Sequence, residues 1–187
     1  MSDLPHNALR WFFLLVTRHS SLVTALPSLA TRHSSLPYCH SPLVTRHCSL
    51  VTHSPEETMN LGRELAKEIE PPCIVLLEGE LGSGKTTLVK GILASLASVP
   101  EDEVTSPSFT LVHEYGPKGK IYHVELYRIE GARDLATLGL DDLLAQDATV
   151  LIEWGEKFVE GAARPCVRIR LEHLGRDERR ITVERLI

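Results

Sequence analysis

No run of about 18 consecutive apolar residues occurs in the sequence, which excludes a membrane-spanning helix. The longest early apolar stretch, Trp11 to Val16, falls short of the roughly 7–15-residue core of a secretory signal. Asparagine is nearly missing: Asn7 and Asn60 are the only two, and neither precedes a lysine. The N-K-x-D signature of guanine recognition is therefore absent. Cysteine is scarce, four in 187 residues (Cys39, Cys48, Cys73, Cys166), which suits a reduced, cytosolic-type setting with small buried thiols at Cys73 and Cys166. Acid is missing from residues 1–55 except for Asp3, against four arginines, a net of +3. Residues 56–187 hold 24 acids against 16 bases, a net of −8 that the whole-chain figure of −5 conceals. A net acidic domain is a poor candidate for gripping a nucleic-acid backbone by itself. With 43% hydrophobic residues, a wholly disordered chain is excluded as well.

What is present divides at about residue 54. The first part repeats with period 14: Val16-Thr17-Arg18-His19-Ser20-Ser21-Leu22, Ala30-Thr31-Arg32-His33-Ser34-Ser35-Leu36, Val44-Thr45-Arg46-His47-Cys48-Ser49-Leu50. That period matches no familiar solenoid, and Pro27, Pro37 and Pro42 argue against a coiled coil. Residues 1–53 are read as a disordered low-complexity tail. A transit peptide (Arg- and Ser-rich, acid-poor) and a metal tract using six histidines are the competing readings. The 14-residue spacing disfavours metal, because zinc ligands pair 2–5 residues apart.

Residues 54–187 read as one α/β domain. Ser54-Pro55-Glu56-Glu57 is a capped helix start, Leu61, Leu65 and Ile69 form one stripe, and Pro71-Pro72 ends the helix. Ile74 to Leu77 is a continuous apolar run, as in a strand buried on both faces. After a glycine loop, Leu88, Ile92 and Leu96 mark a second helix. Phe109–Tyr115 and Ile121–Leu126 read as strands around the turn 116–119. Asp134–Leu144 reads as one or two short helices and Val150–Ile152 as another buried strand. Alternation at Val167-Ile169-Leu171 and Ile181-Val183 marks a hairpin about Gly175-Arg176. The expected fold is a P-loop NTPase-like sheet, partly parallel with antiparallel strands, flanked by helices.

Gly79-Glu80-Leu81-Gly82-Ser83-Gly84-Lys85-Thr86 is a full G-x-x-x-x-G-K-[ST] phosphate loop. The glycines permit backbone angles that turn amides inward around phosphates. Lys85 offers a charge to the β/γ-phosphates, Thr86 a hydroxyl to Mg²⁺, and the helix behind them its N-terminal amides. Without a guanine signature, ATP is the expected nucleotide. Phosphate-loop enzymes also need an acid at a neighbouring strand end. Glu153 ends Val150–Ile152 in a Walker B-like position. Glu125 shares a strand face with His123, where a solvated face is the equal alternative.

These residues add up to a resemblance. Gly79 to Thr87 resembles the G-[DE]-L-G-[AS]-G-K-T-T of the TsaE (YjeE) family. Val104-Thr105-Ser106-Pro107-Ser108-Phe109-Thr110-Leu111-Val112 is similar to that family's switch segment, His123-Val124-Glu125-Leu126-Tyr127-Arg128 to its H-x-D-x-Y-R, and Ile152-Glu153-Trp154 to its [IV]-E-W. The resemblance spans about residues 54–187. It implies a small cytoplasmic ATPase that acts with TsaD and TsaB in threonylcarbamoyl modification of the tRNA adenosine beside the anticodon, tRNA being met indirectly through the complex. It implies nucleotide binding by Gly79, Glu80, Leu81, Gly82, Ser83, Gly84, Lys85, Thr86, Thr87 and Trp154. It implies catalytic roles for Glu153, Lys85 and Glu125, and Mg²⁺ held by Thr86, Glu125 and Glu153. Ser106, Pro107 and Thr110 would sense the nucleotide state. Glu125 stands where the family usually has Asp, one methylene further out.

Two other classes compete: a nucleotide-dependent binding module with negligible turnover, and a small-molecule phosphotransferase. The second lacks an arginine-rich lid beyond Arg128 and Arg133. The clusters Arg164, Arg168, Arg170 and Arg176, Arg179, Arg180 read as solvated strand faces.

Overall fold

The computed structural model describes residues 47–116, 120–158 and 167–186. The first two repeat copies, Cys39, Cys166, Arg164 and the turn residues 117–119 lie outside the described residues.

The elements run β1 (His47–Thr52), α1 (Pro55–Ala66), β2 (Cys73–Glu78), α2 (Lys85–Leu96), β3 (Val112–Tyr115), β4 (Ile121–Glu125), α3 (Ala132–Thr137), α4 (Leu140–Leu144), β5 (Thr149–Glu153), a 3₁₀ turn (Gly155–Lys157), β6 (Val167–Gly175) and β7 (Glu178–Arg185). They build one seven-stranded sheet in the order β1-β7-β6-β2-β5-β4-β3. Strands β6, β2, β5 and β4 are parallel neighbours, while β3, β7 and β1 add antiparallel edges. The expected mixed α/β sheet is thus observed, with β2 central to it.

Period-2 alternation sorts the core into two layers. On one face Val75, Leu77, Leu151, Ile169, Leu171 and Ile181 meet Leu61, Leu88, Val89, Ile92 and Leu93 of α1 and α2. On the other, Ile74, Leu76, Val124, Val150 and Ile152 meet Leu126, Ile129 and Leu140, with Leu135, Leu138, Leu143 and Leu144 packed alongside. The two helices of the first layer touch through glycines. A Cβ on Gly91 would lie 1.9 Å from the Met59 carbonyl oxygen, and one on Gly62 would lie 2.3 Å from that of Leu88.

Helix α1 starts as expected: Ser54 Oγ accepts from the Glu57 N–H at 3.0 Å. The returning Glu57 carboxylate takes the His53 N–H at 2.8 Å, one residue before the cap. The helix stops at Ala66, short of the prolines, because the Lys67, Glu68 and Ile69 amides tighten onto carbonyls three residues back. Ile69 is still buried.

Two expectations are corrected. The segment expected as tail contributes its last residues to the sheet: β1 pairs antiparallel with β7, Leu50 opposite Ile181 and Cys48 opposite Val183. Alternate burial along His47–Thr52 and packing of Leu50 on the core account for it, and β7 is covered where it would otherwise be an open edge. The strand expected from Phe109 begins only at Val112. Residues 108–110 form a turn closed by the Leu111 N–H to the Pro107 carbonyl (2.7 Å), and Leu111 takes a left-handed φ of 64°.

Candidate functional site

The buried strand β2 delivers the chain into the loop Gly79–Gly84, and α2 opens directly at Lys85. The loop turns through positive φ at Gly79 (138°), Gly82 (80°) and Gly84 (101°). At Gly79 a side chain is excluded twice, since a Cβ would also sit 2.3 Å from the Leu171 carbonyl oxygen of β6. Glu80 and Leu81 are exposed, Leu81 by 76%. Ser83 Oγ is buried with no protein hydrogen-bond partner, a polar atom at the loop's base that a ligand or water could satisfy.

Lys85 Nζ donates to the Gly79 and Glu80 carbonyls (2.6 and 3.0 Å) and lies 4.2 Å from the centroid of the Trp154 ring. Burial lowers its pKa below the usual 10.5, opposed by the charges of Glu153, Glu156, Glu125 and Glu80. Trp154 reaches this position because the chain turns sharply after β5. Trp154 itself is left-handed (φ 60°), and Gly155 packs so tightly on Leu76 that a Cβ would lie 2.8 Å from the leucine's own. The indole rests against Tyr127 (5.0 Å between centroids), and Lys157 donates to the Tyr127 and Ile129 carbonyls beside it.

Both candidate acids sit at strand tips. Glu125 and Glu153 are register partners on β4 and β5, and both are buried. Alternation places Glu153 on the same face as Leu151, which packs in the layer of α2. Its Oε2 therefore meets the first turn of α2, accepting from Thr86 Oγ1 at 3.0 Å, while Oε1 lies 2.9 Å from His123 Nε2. Glu125 is not a solvated strand face: its Oε2 accepts from the hydroxyls of Ser106 and of Ser108, the latter at 3.1 Å. Lys85, Thr86, Glu153 and Trp154 are thus brought together. Glu125 is turned toward the switch-like loop, and the hydroxyl of Thr86 goes to Glu153.

Sequence reasoning passed over three contacts. His123 was visible as a residue two before Glu125 on one strand face, but its bond to Glu153 needed the β4–β5 register. Ser108 closes on Glu125 only because the loop folds as a turn. Most β6–β7 arginines do carry surface ion pairs, Arg168 and Arg170 with Glu78 and Arg180 with Glu172. Arg179 instead lies across Gly84, its Nε 3.3 Å from where a Cβ would be. Among the described residues no cluster of three or more His, Cys, Asp or Glu is arranged to hold a metal, and no helix is long and apolar enough to cross a membrane.

A glycine loop joining a central parallel strand to a Lys-Thr-Thr helix makes this a P-loop NTPase-like α/β protein. The crystal structure of Bacillus subtilis YdiB superposes with a TM-score of 0.56 at 29% identity, covering 75% of this chain and 86% of that one. The family described as threonylcarbamoyl adenosine biosynthesis protein TsaE matches residues 52–181, and the chain belongs to that family. Relatives named tRNA threonylcarbamoyladenosine biosynthesis protein TsaE include one from Treponema pallidum, 32% identical over 133 residues (71% of this chain, 97% of the relative). Another, from Bacillus subtilis, is 35% identical over 132 residues (70% and 81%). One from Haemophilus influenzae is 38% identical over 116 residues (58% and 72%).

Proposed function

We propose that this chain binds and hydrolyses ATP as a cytoplasmic subunit required for threonylcarbamoyl modification of the tRNA adenosine beside the anticodon, working with TsaD and TsaB. The observation that carries the reading is the contact of Thr86 with Glu153 beneath the glycine loop, within the field of Lys85. The loop amides and Lys85 hold the phosphates, and Trp154 closes the side of the site. Thr86 and Glu153 would offer Mg²⁺ a hydroxyl and a carboxylate, hard oxygen donors suited to it, and Glu125, tied to Ser106 and Ser108, would reach the ion through water. The bound ion would neutralise charge building on the transferred phosphoryl group. Glu153, whose carboxylate reaches the first turn of α2, would orient an attacking water.

Two surface features support a partner-dependent role. Leu81 and Phe109, one on the phosphate loop and one on the switch-like loop, are 76% and 83% exposed. Both would lose water on docking of a partner against these two loops. The −8 charge of residues 56–187 fits recognition of tRNA through those partners. A phosphotransferase would need an acceptor pocket at the loop. Among the described residues, one surface cavity of about 610 Å³, lined by residues such as Met59, Lys90, Ala94 and Glu101, is not at the loop. Arg128 stacks on Phe109 (4.5 Å to the ring centroid) and does not form a lid.

The test is to measure ATP binding and hydrolysis by the purified full chain, alone and with TsaD–TsaB. Weak turnover stimulated by the pair is the expected result. A chain that bound neither ATP nor the pair would end this reading. Tight binding with no turnover in either condition would leave a nucleotide-dependent docking module.

A further inference from the structure

We propose that His123 is a positioning residue: its imidazole donates through Nε2–H to Glu153 Oε1 and so aims the other carboxylate oxygen at Thr86. The inference deepens the hydrolysis reading above and rests on it for its kinetic consequence. Its geometry stands apart from that reading.

His123 has no solvent exposure, and Glu153 is 2% exposed. The two meet because β4 and β5 are parallel, with His123 beside Leu151 and Glu125 beside Glu153, so His123 lies diagonally behind the carboxylate. The bond is 2.9 Å. The second ring nitrogen, Nδ1, is buried without a hydrogen-bond partner. That asymmetry selects the tautomer. A proton on Nδ1 would be a buried donor with nothing to bond, and it would set a bare Nε2 lone pair against a carboxylate oxygen. A proton on Nε2 satisfies Glu153 and leaves only an acceptor nitrogen unmatched.

With this tautomer each oxygen of Glu153 has one donor, Thr86 on Oε2 and His123 on Oε1. The carboxylate is locked against rotation about its terminal torsion, which is otherwise broad. A histidine that merely filled space could give way to leucine with no change in turnover. A histidine that aims Glu153 cannot, because the carboxylate would lose a buried donor and its orientation. Supporting partners of this kind typically change activity by about 10–100-fold when removed.

The experiment pairs spectroscopy with kinetics on the full chain. Ring ¹⁵N shifts of His123 in the nucleotide-free protein should show a protonated Nε2 and a bare Nδ1. His123→Leu should lower kcat about 10–100-fold with ATP affinity within a few-fold of the parent. His123→Gln, whose side-chain amide nitrogen falls near the lost Nε2, should recover most of it, and His123→Asn, one bond shorter, should not. A bare Nε2, parental kcat in His123→Leu, or a glutamine variant that folds yet is as slow as the leucine variant would overturn the proposal. If the parent showed no turnover, the hydrolysis reading would fail alone, and the tautomer would still decide the contact.

Discussion

Glu125 and Glu153 face each other across adjacent parallel strands, yet their carboxylates serve different neighbours: Glu153 meets the phosphate-loop helix at Thr86, and Glu125 meets the switch-like loop at Ser106 and Ser108. Two acids one strand apart can therefore divide the work. One stands at the nucleotide's end and the other ties a loop that can report on it. The two predictions that follow separate these roles.

Glu153→Gln keeps size and loses charge. It should bind nucleotide within a few-fold of the parent and hydrolyse about 10²–10⁴-fold more slowly, the range for removing a positioned base. Isothermal titration alongside a phosphate-release assay checks it. Equal hydrolysis rates in parent and variant would move the reading to a sensor.

Glu125→Asp draws the carboxylate back by one methylene from Ser106 and Ser108. Loss of hydrogen bonds to a buried charged acceptor should cost about 1–3 kcal/mol. It should also raise amide exchange across residues 104–111 relative to the helix α2. Unchanged exchange there would show that the serine contacts do not hold the loop.

Gly91→Ala and Gly62→Ala drive a Cβ into main-chain carbonyls at 1.9 and 2.3 Å, so α1 and α2 must separate. Each should cost at least the about 1–3 kcal/mol typical of overpacking, with Gly91 the worse of the two. Urea unfolding midpoints rank them.

Lys85→Met tests the buried amine through pH. Burial holds the folded pKa below 10.5. In the interval between that lowered value and 10.5 the unfolded chain binds the proton and the folded chain releases it. The unfolded state then carries more protons, so stability contributed at this site rises with pH. The parent should accordingly gain on Lys85→Met as pH climbs toward 10.5. Tyr115, whose hydroxyl burial pushes upward from its usual 10.0, is common to both chains and cancels. Paired urea midpoints at neutral and alkaline pH measure the difference, and a parent that lost ground would reverse the assignment.

Chains beginning at residue 47 and at residue 54 differ by β1. The shorter should melt lower and associate more readily, because the backbone groups of β7 opposite His47–Thr52 lose their partners and Ile181 loses Leu50. Thermal melts with light scattering compare them. Identical behaviour would make β1 dispensable.

How far the sequence was legible follows the range of the forces involved. The start of α1, the buried run at β2, the glycine loop and the β6–β7 hairpin depend on neighbours within a few residues, so capping, apolar periodicity and turn chemistry expose them. The same locality made Gly79–Thr87 readable as a phosphate cradle. The edge strand β1 was hidden because its residues are Ser-, Thr- and His-rich. Composition marked them as tail, whereas their strand state comes from pairing with β7 more than 120 residues away. The turn before Val112 was hidden because its apolar residues imitate a strand, though Phe109 faces solvent.

By itself, then, the sequence determined the order of elements from α1 onward, the phosphate loop and the identity of the acids. Each is written in contiguous residues whose conformational preferences are local. Only the tertiary structure decided that Glu153 meets Thr86 and His123, that Glu125 ties Ser106 and Ser108, and that Trp154 lies against Lys85. Those contacts need parallel strands in register and a helix laid across them. No local pattern encodes register, because it emerges from burying both faces of one sheet at once.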